Sequence, residues 1–332
     1  MMIKGGLYDR LFFIELMKDL LKVLIISIDG DYTVQNVIDW LNSFGVIVKR
    51  VCLFDHKIDY CISIDENNTL LLDNNITSYD KIWFHRAKNT IPNRKMDNIG
   101  NRIFVFHKNE LTKIYSYLSE QIDEKKYIVH PQKVDVNKLN VLLCAKGVNL
   151  RVPKWVVTNN KKVLYNFINE NGDCIIKPLS NCFSFIDKGK SYSMFTKEID
   201  KESILRNNEL LFPVFVQKKV EKKFEVRTFY LAGQMYSMAI FSQLNAHSEV
   251  DWRKSQHEQN TRRVPYLLPT KYQKPIHRLM VKLGLKTGSL DFIINKDGQL
   301  IFLEVNPVGQ FGMVSELCNY SLYHKFASFI IN

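Results

Sequence analysis

Three oxygen-bearing residues near the C-terminal end of the chain, Asp291, Glu304 and Asn306, are spaced so as to meet on one patch of sheet. Two apolar, β-rich runs, Gly288-Ser-Leu-Asp-Phe-Ile-Ile294 and Gln299-Leu-Ile-Phe-Leu-Glu-Val-Asn306, flank Asn295-Lys-Asp-Gly298, a turn signal of β-hairpins. A two-residue loop at Asp297-Gly298 pairs Lys296 with Gln299 and brings Asp291 directly opposite Glu304. Glu304 and Asn306, two apart on one strand, then point to the same face. Facing carboxylates about 5 Å apart repel by roughly 3 kcal/mol at an effective dielectric of about 20. A divalent cation removes that penalty, and hard oxygen donors select Mg2+ or Mn2+. The alternative is a solvated hairpin that merely carries acids. The apolar flanks Phe292-Ile-Ile294 and Ile301-Phe-Leu303 favour a buried hairpin.

A second candidate is Lys177, at the end of the apolar run Cys174-Ile-Ile and closed by Pro178. A strand end is a good place for a point charge directed at phosphates, although a plain solvent contact explains a lone lysine as well. Other nucleotide motifs are missing. Gly189-Lys190-Ser191 lacks the upstream glycine of a P-loop, and no G-x-G-x-x-G follows the first strand. Neither H-E-x-x-H nor G-x-S-x-G occurs. A bound nucleotide would need a different architecture.

The elements that must carry these residues begin with Lys22-Val-Leu-Ile-Ile-Ser-Ile28, a buried-strand run followed by a helical pattern from Thr33 to Phe44. Gly45 ends that helix, and Val46 to Val51 starts a second strand, so the chain opens β-α-β and predicts a small parallel α/β domain. Lys81-Ile-Trp-Phe-His85-Arg86 is a further strand ending in polar groups, and a long helix is expected from about Lys108 to Gln121. From His130-Pro131 the character changes. Asp135 to Ala145 reads as helix, Arg151 to Thr158 as extended, Cys174 to Lys177 as a short buried strand, and residues 179–195 as a strand pair. Phe224 to Gln234 and Met235 to Ile240 read as an antiparallel pair turning at Ala232-Gly233. These segments predict domains at 1–130, 131–215 and 216–332.

With 332 residues, 46% of them hydrophobic and 24% charged, the chain can bury a substantial core in two or three domains. No apolar run reaches the roughly 18 residues of a membrane span. Residues 1–16 read either as an amphipathic helix or as an extension upstream of a start at Met17, without a signal-peptide cleavage pattern. The six cysteines show no C-x-x-C pairing, which disfavours zinc and a disulfide framework and predicts reduced thiols in a cytoplasmic protein. The net charge of +12 suits an acidic partner. Nucleic acid is disfavoured, because the basic residues are dispersed and no helix-turn-helix, zinc finger or RNP signature is present.

Taken in order, Lys138, Ile175-Ile-Lys177-Pro, Val216-Gln217-Lys218-Lys-Val220, Glu225-Val-Arg227, Asp291 and Glu304-Val-Asn306-Pro resemble the ATP-grasp superfamily, over about residues 125–330. The resemblance implies an α+β fold, with an N-terminal α/β pre-ATP-grasp domain followed by two lobes. Within the superfamily the chain resembles the RimK-like ligases, and most nearly the maturases of ribosomally made peptides: the microviridin and graspetide macrocyclases, including the grasp-with-spasm group. That nearer likeness rests on Phe224-Glu-Val-Arg227, Asp251-Trp-Arg253, Asn260-Thr-Arg-Arg263-Val-Pro-Tyr-Leu-Leu-Pro269 and Gly309-Gln-Phe311.

What the resemblance implies is specific. Lys138 and Lys177 would neutralise ATP phosphates, backbone groups of Gln217, Lys218 and Val220 would hold the adenine edge, and Glu225 would accept ribose hydroxyls. Asp291, Glu304 and Asn306 would hold two Mg2+ ions bridging the β- and γ-phosphates. Arg227, Arg253 and Arg263 would clamp the reacting carboxylate, with Arg262 an alternative to Arg263. Two departures stand out: the phosphate-covering loop near 180–193 holds only Gly189, and His85-Arg86 stands where related maturases show two arginines. The implied activity phosphorylates side-chain carboxylates of a precursor peptide and closes ω-ester or ω-amide rings with Thr/Ser or Lys. Alternatives are a RimK-like ligase adding a free amino acid to a protein or small acid, and a catalytically silent peptide- or nucleic-acid-binding scaffold. A leader-bearing acidic precursor and a homodimer are the partners that the resemblance implies.

Overall fold

The computed structural model describes residues 20–52, 61–67, 69–71, 74–86, 98–180, 184–187, 190–193, 196–199, 202, 212–242 and 261–332. Two compact units emerge, residues 1–134 with 321–332, and residues 135–320. In the first, four parallel strands lie in the order Ile47–Val51, Lys22–Ile26, Lys81–Phe84, Tyr127–Val129. Val23 to Ile26 are buried, as a strand covered on both faces requires. The helix Tyr32–Ser43 starts where the Asp31 carboxylate accepts the Val34 N–H at 3.1 Å, and Gly45 at φ +76° turns the chain out of it.

Two expectations in this unit need correction. The long helix spans Asn98–Glu120, beginning well before Lys108. Its first turns expose Ile103, Val105 and Phe106, so they lack the one-sided apolar stripe by which a helix is recognised. The last helix, Leu322–Ile331, belongs to this unit and not to a C-terminal lobe running to 332. It buries Leu322, Tyr323, Phe326, Ala327 and Ile330, with Phe326 against Trp83 at 4.7 Å and His324 against Trp40 at 4.7 Å between ring centres. Each large side chain so buried contributes about 1.5–3 kcal/mol.

The second unit contains two antiparallel sheets that matter here. The smaller runs Lys197–Glu198, Cys174–Lys177, Val214–Lys218, Trp155–Thr158. One of its faces packs on helix Lys161–Asn171 through Leu164, Ile168, Cys174 and Val216. Val216 is therefore mid-strand, and a lobe boundary at 215/216 would cut this sheet; the strand Val214–Lys218 belongs wholly to it. The larger sheet runs Arg262–Tyr266, Gln234–Phe241, Lys222–Leu231, Thr287–Asn295, Leu300–Asn306. Val226, Tyr230, Leu290, Phe292 and Val305 bury one face of it against helices Lys138–Gly147 and Thr270–Lys282. The Ala232-Gly233 turn takes positive φ at both residues, 45° and 99°, the twist a two-residue hairpin needs. Asn137 caps helix Lys138–Gly147 by accepting from the Leu139 and Asn140 N–H groups, so the helix begins after the expected Asp135. The strands Ser184–Asp187 and Lys190–Ser193 pair as the sequence suggests. Among the described residues no helix is long and apolar enough to cross a membrane, and five cysteines are free thiols.

Candidate active site

On the large sheet, alternation places Glu225, Arg227, Asp291 and Glu304 on the face turned away from those two helices. Arg227 lies opposite Asp291, and Asp291 opposite Glu304, so the three form one row across adjacent strands. The expected pairing of the two acids holds, but not by the expected turn. The loop has three residues, Lys296, Asp297 and Gly298: the Asn295 N–H donates to the Gln299 carbonyl at 3.0 Å, and Gly298 sits at φ +75°. That displaces the register by one residue through Phe292 opposite Phe302. A bulge at Leu303 then restores it, so that Asp291 faces Glu304 after all.

Arg227 Nη1 donates to both oxygens of Asp291, at 3.0 and 3.2 Å, and Nη2 to the Gln310 carbonyl at 3.3 Å. Ser289, opposite Asn306, is buried and donates to the Gly309 carbonyl at 3.4 Å. The Asn306 side-chain oxygen accepts the Val308 N–H at 3.2 Å. The loop after Asn306 is thus folded back onto the sheet. Its glycine is required by space: a Cβ on Gly309 would lie 2.7 Å from the Ser289 Cβ.

Asp291, Glu304 and Asn306 fit a hard divalent cation by donor chemistry, two carboxylates and an amide oxygen. Among the described residues no site gathers three or more His, Cys, Asp or Glu side chains. So thin a protein donor set suits Mg2+, which is commonly held by one or two carboxylates plus substrate phosphates.

Beside the row is a cleft between the two sheets, lined by Lys177, Gln217, Lys218, Val220 and Glu225 together with apolar Ile175, Ile293 and Leu303. Gln217 is fully buried and stands opposite Ile175. The Lys218 N–H donates to the Lys154 carbonyl at 2.9 Å and the Lys219 N–H to Asp173 at 2.8 Å. The Glu225 carboxylate accepts from Lys222 Nζ at 2.6 Å. Residues 222 and 225 would normally face opposite ways, but the register slips between Lys222 and Phe224 and turns Lys222 toward Glu225. Sequence spacing alone carries no sign of that partner.

Lys138 is placed differently. It does not line the cleft; its ammonium donates to the carbonyls of Pro178 at 2.9 Å and Ser180 at 3.1 Å, anchoring the chain that leaves the Lys177 strand. Arg263 lies opposite Ile240, itself opposite Glu225, and so shares the face of the acids. Arg262 turns the other way and stacks over Phe241 at 5.7 Å. Among the described residues the buried Nε of Arg263 has no hydrogen-bond partner. Arg253 and its neighbours from Asp251, with Asn260, lie outside the described residues, as does Gly189.

At the strand end flagged in the first unit, His85 is buried 3.8 Å from Asp31, and Arg86 reaches the same Asp31 oxygen at 3.4 Å. Burial pushes the His85 imidazole down to about 4, Asp31 opposes that shift, and Arg86 adds to it. Arg86 holds φ at 55°, an unusual backbone position for a residue with a side chain.

No family model matches the sequence. A curated relative, an uncharacterized protein of Methanocaldococcus jannaschii, is 26% identical over 185 residues, which are 53% of this chain and only 42% of that protein's length. Solved structures match more fully. A RiPP-associated ATP-grasp ligase of Chryseobacterium gregarium, in complex with ADP and a leader and core peptide, gives a TM-score of 0.80 at 23% identity, covering 94% of this chain and 95% of its own. The macrocyclase MdnC of Microcystis aeruginosa, bound with precursor peptide MdnA, gives 0.75 at 22% identity, covering 94% and 100%. The ATP-grasp ligase PsnB, complexed with a phosphomimetic variant of a minimal precursor, Mg and ADP, gives 0.72 at 17% identity, covering 94% and 98%. The chain has the α+β fold of ATP-grasp ligases.

Proposed function

We propose that the protein is an ATP- and Mg2+-dependent ligase that activates side-chain carboxylates of a precursor peptide and closes them into ester or amide rings. The observation that carries this reading is the row Arg227, Asp291, Glu304 beside a cleft that gathers Lys177, Gln217, Lys218, Val220 and Glu225. The fold supports it, since the matched ligases were solved with ADP and with precursor peptides.

The adenine would enter the cleft against Ile175, Ile293 and Leu303. With the Lys218 and Lys219 N–H groups already donated, its polar edge would meet the carbonyls of this segment and the Val220 N–H. Glu225 would accept a ribose hydroxyl beside Lys222, and Lys177 would set its charge against the phosphates. Asp291, Glu304 and Asn306 would hold two Mg2+ ions, which when bound neutralise the β- and γ-phosphates. Arg227 and Arg263, with Arg253, would orient the peptide carboxylate and the acyl phosphate made from it, where a planar fork matches the oxygens.

The carboxylate oxygen attacks the γ-phosphorus and ADP leaves. A hydroxyl or amine of the same peptide then attacks the acyl carbon, loses its proton and expels phosphate, so each ring costs the peptide the elements of one water. The net positive charge favours an acidic precursor. A cytoplasmic homodimer completes the proposal.

The test is the intact mass of an acidic, Thr- and Lys-containing candidate precursor after incubation with the protein, ATP and Mg2+. ATP-dependent loss of one or more waters is expected. A gain of mass would instead indicate transfer of a free amino acid, and an unchanged mass with background ATP turnover would refute the enzyme.

A further inference from the structure

Arg227 has two employments that compete for the same two nitrogens. Nη1 rests on both oxygens of Asp291, at 3.0 and 3.2 Å, and Nη2 on the Gln310 carbonyl at 3.3 Å. The side chains of Arg227 and Asp291 are 13% and 19% exposed, so the pair is largely withdrawn from water. A guanidinium grips a carboxylate or acyl phosphate by two parallel N–H groups at its tips. Here both tips are already held by the protein, one by a carboxylate and one by a backbone carbonyl. In this arrangement a peptide carboxylate would have to compete with Asp291 and the Gln310 carbonyl for the two tips of Arg227.

The reason for the arrangement lies one strand away. Asp291 faces Glu304 across the hairpin, and two half-buried carboxylates in register repel unless a cation lies between or beside them. Arg227, next in the same row, supplies one such cation to Asp291. A divalent ion on Asp291 and Glu304 would do the same with twice the charge, and would repel the guanidinium that it replaces.

We propose that Arg227 is the stand-in cation of the metal site: it neutralises Asp291 while the site holds no metal, is displaced when Mg2+ arrives with the nucleotide, and only then turns its fork to the peptide carboxylate. The proposal deepens the ligase reading and rests on it. The peptide clamp becomes available only after metal loading, which orders the binding steps. The loop after Asn306 shares in the exchange, because the Gln310 carbonyl gives up the same guanidinium.

The test is binding of bare Mn2+, without nucleotide, followed by the paramagnetic resonance signal of the free ion. Full-length protein is compared with Arg227→Met and Arg227→Gln, two uncharged replacements that guard against one failing to fold, and with Arg227→Lys. Loss of a unit charge a few ångströms from the ion should tighten Mn2+ binding about tenfold or more in the uncharged variants, while Arg227→Lys stays within about threefold of the parent. Unchanged or weaker Mn2+ binding in the uncharged variants overturns the proposal and leaves the ligase reading standing. Absence of Mn2+ binding in every protein, with or without ADP, overturns both.

Discussion

Gly309→Ala would test how the loop behind the acidic row is held. An added Cβ lies 2.7 Å from the Ser289 Cβ, 2.9 Å from its Oγ and 3.1 Å from the Asn306 carbonyl oxygen. Carbon atoms normally rest about 3.5–4.0 Å apart, so the loop must retreat by roughly 1 Å or the strand must give. Ser289 cannot swing clear: its Cβ is fixed to the central part of strand Thr287–Asn295 and is fully buried. Overpacking of this kind costs about 1–3 kcal/mol, which for a unit of this size lowers its melting temperature by roughly 3–10 °C. The same retreat draws the Gln310 carbonyl away from Arg227 and stretches the Ser289 bond to Gly309. Ser289→Gly removes the two shortest contacts and leaves, of the three nearest, the approach to Asn306 at 3.1 Å. The double variant Gly309→Ala/Ser289→Gly should therefore recover about 1 kcal/mol or more relative to additivity. Calorimetric scans of the parent, both single variants and the double variant measure the coupling. A Gly309→Ala protein that melts with the parent, or a strictly additive cycle, would refute this account of the loop.

Glu304→Ala should reduce ATP turnover to background while leaving the protein folded, since Arg227 still neutralises Asp291; turnover near the parent's, in a phosphate-release assay, would remove Glu304 from the site. Stability of the first unit should depend on His85. The unfolded imidazole takes up its proton near pH 6.5 and the folded one near 4, so the stabilisation is complete above about 6.5, falls as the pH is lowered through that window, and levels off below about 4. The loss at the bottom is roughly 3 kcal/mol. Urea midpoints measured across that window should slope for the parent and flatten for His85→Gln; equal slopes would discount His85.

What the sequence made legible follows from periodicities. Alternation along Gly288–Ile294 and Gln299–Asn306 set Asp291 against Glu304, because a strand's period of two is written in its apolar residues. Irregularities are written nowhere in that code. The three-residue loop and the bulge at Leu303 are two departures that cancel, so the pairing survived an incorrect turn. The slip at Lys222 has no counterpart to cancel it, and so Lys222 reached Glu225 unannounced. Face parity did choose between Arg262 and Arg263, but only once the partner strand was known. Helix ends failed where the apolar stripe is missing or where a local cap decided them. The exposed apolar start of Asn98–Glu120 has no stripe, and the capping of Lys138–Gly147 by Asn137 overrode the helical look of Asp135 and Val136. Long-range membership was least visible, since nothing in Leu322–Ile331 names Trp83 or Trp40 as its neighbours.

That last helix has a consequence for the order in which the protein can be made. The first unit is assembled from two pieces of chain separated by the whole of residues 135–320. A ribosome adding about 5–20 residues per second releases the parallel sheet long before Phe326 exists to cover Trp83. The intervening unit, whose residues are contiguous, can complete itself first. The parallel sheet must wait with an apolar face open, and so the strand Lys81–Phe84 is among the last elements to reach its final packing. Loss of the helix Leu322–Ile331 would accordingly be felt at Trp83, more than two hundred residues earlier in the sequence.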